Sequence, residues 1–82
     1  MKITLTDPGM HPLIKDYRNH YNMGYVFDLL AENNCTYTRA EVTIKDEDNN
    51  DVVLFIANRE LGSKTWKCIF YSNLIDGSDS ID

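Results

Sequence analysis

Val52-Val53-Leu54-Phe55-Ile56-Ala57 is the one run of six consecutive apolar residues in the chain. Six residues are short for a buried helix, and the β-branched and aromatic content favours a strand. In a regular strand Val52, Leu54 and Ile56 point to one side and Val53, Phe55 and Ala57 to the other. Both faces then ask for cover. A chain of 82 residues has little material for that, since a domain of this size buries only roughly 60–65% of the surface its unfolded chain exposes. What covers the second face is the question the sequence poses.

The neighbours of this run read as antiparallel partners. Thr36–Lys45 alternates, with Thr38, Ala40, Val42 and Ile44 on one face and Arg39, Glu41, Thr43 and Lys45 on the polar one. Asp46-Glu47-Asp48-Asn49-Asn50-Asp51 contains no apolar residue and joins the two strands as a hairpin turn. Leu61-Gly62-Ser63-Lys64 supplies the next turn. Thr65–Ser72 then reads as a strand with Trp66, Cys68 and Phe70 on the core face and Lys67, Ile69 and Tyr71 opposite. Residues 76–82 read as an acidic, frayed tail.

Upstream, Lys2–Thr6 is a short strand closed by Asp7-Pro8-Gly9. Leu13, Ile14, Tyr17 and Tyr21 recur at helical spacing, and so do Tyr25, Val26, Leu29 and Leu30. The two stripes point in different directions on one helical wheel. The pattern therefore predicts two helices, at 11–22 and 24–32, or one helix kinked at Asn22–Gly24. The expected architecture is α+β: a short N-terminal strand and two helices packed on a three- to four-stranded antiparallel meander, in a single domain over 1–75.

Thirteen acidic against eight basic residues give a net charge of −5. That balance argues against direct binding to nucleic acid or an anionic membrane, and it suits a basic protein partner. The N-terminal segment has no apolar leader and no stretch approaches a membrane span, so a cytoplasmic protein is expected. Cys35 and Cys68 lack metal-site or redox spacing and read as reduced thiols, Cys68 within the core. His11 and His20 share no face. Asp46, Asp48 and Asn50 match the first positions of a calcium loop, but Asp51 and Ala57 stand where glycine and glutamate are needed. No catalytic motif is present, and the expectation is a protein without catalytic residue, cofactor or metal.

Two surfaces remain as candidates. Glu41, Asp46, Glu47, Asp48 and Asp51 form an acidic surface suited to a basic groove. Val53, Phe55, Ile69 and Tyr71 form a second, apolar sheet face that one helix covers if the kink places a helix on each side, and that otherwise suits a second copy of the chain or a partner. Tyr17, Tyr21 and Tyr25 form a lesser aromatic stripe. In size, acidity and lack of catalytic residues, the chain resembles the small inhibitors that phages and mobile elements encode against host defence or transcription machinery. That likeness implies a protein that binds and blocks another protein. The alternative is a structural or assembly protein that homodimerises through its second sheet face.

Overall fold

The computed structural model describes residues 1–17, 23–32 and 36–73. It contains strands β1 (Lys2–Thr6) and β2 (Pro12–Asp16), helix α1 (Met23–Glu32), and strands β3 (Arg39–Lys45), β4 (Asp51–Asn58) and β5 (Lys67–Tyr71). The strands form one antiparallel sheet in the order β2-β1-β3-β4-β5. The protein is a strand-dominated sheet with one described helix. The meander and the helix near 24–32 are as expected, but the first predicted helix is not.

Residues 12–16 of that expected helix are β2. Leu13 and Ile14 satisfy helical spacing, yet the segment alternates between half-buried and exposed residues as a strand does. The local chemistry explains the outcome. Met10 N–H donates to Asp7 O at 2.9 Å and His11 N–H to Asp7 Oδ1 at 3.0 Å, so the Asp7-Pro8-Gly9 turn folds the chain straight back onto β1. Met10 takes a left-handed φ of 66° to complete the reversal. Pro12, which has no N–H, stands at the first position of an edge strand, where a missing donor is tolerated. The kink at Asn22–Gly24, Tyr21, His20, Cys35 and the 76–82 tail lie wholly or partly outside the described residues.

Two irregularities in the sheet decide which side chains share a face. Val42 pairs with Phe55, but the next residue, Thr43, pairs with Val53, which leaves Leu54 as an extra residue in β4. Leu54 and Phe55, neighbours in sequence, are therefore both buried in one core. A second shift at Ile56/Ala57 makes Ile69 extra in β5. The core face carries Ile3, Leu5, Ala40, Val42, Phe55 and Ala57, capped by Val26, Leu29 and Leu30 of α1. Those three helical residues lie at i, i+3 and i+4 and form one stripe.

The helix thus covers Phe55 and Ala57, the face that the sequence leaves to the second helix, to a second copy or to a partner. Ile56 and Phe70, the latter read from sequence onto the core face, pair with each other on the opposite side. Cys68, expected in the core, is exposed. On the face that no described helix covers, one cross-strand row runs Ile14, Thr4, Glu41, Ile56, Phe70. Among the described residues no helix is long and apolar enough to cross a membrane.

Because Leu54 is fully buried beside the bulge, its truncation leaves a void that the sheet cannot close. Leu54→Ala is expected to cost about 3 kcal/mol in urea unfolding. Leu61→Ala, at an exposed position, should stay within about 0.5 kcal/mol.

Candidate functional site

The acidic hairpin tip is built by Asp46. Its Oδ1 accepts N–H groups from Asp48 at 2.9 Å and Asn50 at 2.8 Å. Asn49 N–H donates to Asp46 O at 3.0 Å, and Asp46 N–H donates to Asn50 O at 2.9 Å. Asn49 holds a φ of 65°, which asparagine tolerates better than most residues. This carboxylate is part of the turn, and Glu47 and Asp48 project outward from it, both exposed.

Asp51 closes the hairpin with Lys45, Nζ to Oδ1 at 2.8 Å. The lysine's hydrogen bond and charge hold the Asp51 carboxyl below the ordinary aspartate value. Glu41 is not part of the tip. It lies within β3, half-buried, and accepts from Arg39 Nη2 at 3.0 Å. The structure therefore gathers Asp46, Glu47, Asp48 and Asp51 and leaves Glu41 on the open sheet face.

The expected apolar patch is divided. Phe55 and Tyr71 pair on the helix side, where Phe55 meets Phe27 and Tyr71 edge-on, with centroids 5.8 and 6.1 Å apart. Val53 pairs with Thr43 on the open side, and Ile69 stands out at the bulge, 57% exposed. The apolar residues that do line up in the open are Ile14, Ile56 and Phe70. In the aromatic stripe, Tyr17 lies outside any helix and stacks on Tyr25 at 6.1 Å.

One feature carries no strong signal in the sequence. Arg59, just past β4, is only 5% exposed. Its Nη2 donates to Tyr37 O, and its guanidinium carbon lies 5.0 Å from the centroid of Trp66. Its Nε and Nη1 have no hydrogen-bond partner among the described residues. Trp66 in turn donates Nε1–H to Leu30 O at 3.2 Å. Arginine and tryptophan thus tie the segment before β3, the end of β4, the approach to β5 and the end of α1 into one latch. A lone Arg seven residues before a Trp does not announce burial.

Among the described residues no three His, Cys, Asp or Glu side chains converge as a metal site. Cys68 Sγ–H donates to Phe70 O at 3.4 Å. Compared with family models, with curated proteins and with solved structures, the chain matches none.

The latch and the tip are each open to measurement. Arg59→Ala should cost about 2–3 kcal/mol and shift Trp66 emission, whereas Arg59→Met, which keeps the stem and removes the unpartnered N–H groups, should stay within about 1 kcal/mol of the parent. For Asp51, a lowered folded value means stabilisation present above the ordinary aspartate value and lost as pH falls through the lowered one. By carboxyl-carbon NMR the Asp51 midpoint should rise in Lys45→Ala.

Proposed function

We propose that the chain is a non-enzymatic interaction protein that binds another protein and blocks the surface it covers. The observation that supports this most directly is edge strand β5, exposed at four of its five residues and presenting Ile69 and Phe70 to solvent. Sheet edges with apolar side chains are hazards that proteins usually shorten, charge or cover. Such an edge suits strand addition by a partner, with backbone pairing for affinity and alternate side chains for specificity. Phe70 also continues the open-face row through Ile56, so strand addition extends onto an apolar sheet surface.

The acidic tip provides the second element. Glu47 and Asp48 are exposed, and with a net charge of −5 they favour a basic partner by steering its approach. In its finer form the proposal is an inhibitor of the type phages and mobile elements encode, acting in the cytoplasm and seating its tip in a groove that otherwise holds nucleic acid. The alternative is homodimerisation, with the open-face row in place of the patch read from sequence.

The test uses a partner captured on the immobilised protein and then purified. Phe70→Glu should weaken its binding more than tenfold, while Leu61→Ser should not. Glu47→Gln with Asp48→Asn, which spares the turn-forming Asp46, should slow association most at an ionic strength of about 0.05 M and least at about 0.5 M. Association that ignores both salt and these substitutions removes the electrostatic half of the proposal. A concentration-dependent dimer in light scattering, dissolved by Phe70→Glu, favours the assembly reading instead.

A further inference from the structure

Between the C-terminal half of α1 and strands β4 and β5 lies an open cleft of about 420 Å3. It lies on the helix side of the sheet, apart from the open face and the acidic tip. Its walls are aromatic: Phe27 from the helix, Phe55 from β4, Tyr71 from β5, and Trp66. Lys64 and Cys68 complete the lining opposite Leu30 and Ala31.

These walls are fixed before anything enters. Phe55 is buried and packs edge-on against both Phe27 and Tyr71. Trp66 is held by the Arg59 guanidinium and by its own hydrogen bond to Leu30 O. A small domain ordinarily closes such apolar space, because interiors pack to near-crystalline density. Here rigid aromatic contacts hold it open. Its size and lining are those of pockets that bury a small, mostly apolar ligand and orient it with a few polar groups. Among the described residues Lys64 is the only charged side chain in the lining, and it is positive in a chain of net charge −5. No ion pair to Lys64 is present among the described residues.

We infer that this cleft binds a small amphipathic organic anion, its alkyl or aryl body between Trp66, Phe27 and Tyr71 and its carboxylate or similar head at the Lys64 ammonium. Charge complementarity selects the anion. An uncharged body of the same shape keeps the apolar contacts and loses the ion pair, and a cationic one meets Lys64 with like charge.

Trp66, the single tryptophan, reports on the site directly. Decanoate, decanol and decylammonium, each kept below its micellar range, are titrated against the protein while Trp66 emission and calorimetric heat are followed. Decanoate should bind tightest and change the emission. Lys64→Met should cut decanoate affinity about tenfold and leave decanol unchanged. Lys64→Glu should reverse the order in favour of decylammonium. Ala31→Phe, at an exposed helical position lining the cleft, fills the space without touching the core and should abolish binding. Decanoate should also slow alkylation of Cys68. Equal affinity for all three compounds, absence of any decanoate binding, or decanoate binding that survives Ala31→Phe each overturns the inference.

Discussion

Leu54 and Phe55 adjoin in sequence and are both buried in one core, which a regular strand forbids because its side chains alternate between faces. The bulge opposite Val42 and Thr43 resolves the conflict. Much of the arrangement follows from that one extra residue. It turns Phe55 and Ala57 toward α1, lets Leu54 join the same core, and leaves Val53 and Ile56 on the other side. One short helix can then close the core, because the demand for cover is concentrated on one face. The face that no described helix covers carries a broken apolar row, interrupted by Thr4 and Glu41.

This explains how far the sequence could be read. β3, β4, β5 and the hairpin between β3 and β4 follow from alternation and from a polar turn, and α1 follows from Val26, Leu29 and Leu30. What alternation cannot reveal is an inserted residue. Every assignment of β4 and β5 residues to a face beyond the two bulges came out reversed, including those of Phe55, Tyr71 and Phe70. β2 was hidden for a different reason. Leu13, Ile14 and Tyr17 satisfy a helical spacing, and only the Asp7 side-chain cap and pairing with β1 decide for a strand. Of the candidate surfaces, the acidic tip was legible because it needs only local sequence. The apolar patch depended on register and was not.

The surface separates its chemistries in space. Carboxylates gather at the β3–β4 turn, where Asp46 organises the backbone and its neighbours face water. Apolar exposure gathers at β5 and along the open row. The aromatic cleft lies on the helix side, with its back wall pinned by a buried arginine. Arg59 is an unusual choice for that task, since a cation excluded from water with two N–H-bearing nitrogens lacking a partner among the described residues is costly. Stacking on Trp66 and the Tyr37 carbonyl offset part of that cost, and in return four segments, two from each half of the chain, are held together.

The strand order has a consequence for how the chain is made. β1 finds one neighbour at once in β2, but its other neighbour is β3, where Ile3 faces Val42. The β1–β2 hairpin therefore leaves the ribosome before β3 has emerged, and at ordinary rates of synthesis it waits on the order of seconds. During that interval Ile3 and Leu5 have no core to enter, and one edge of β1 carries unpaired amides. A nascent two-stranded ribbon of this kind is marginal in water. The N-terminal segment is thus the part of the chain that depends most on protection during synthesis, although in the finished sheet Ile3 and Leu5 are among its best-buried residues.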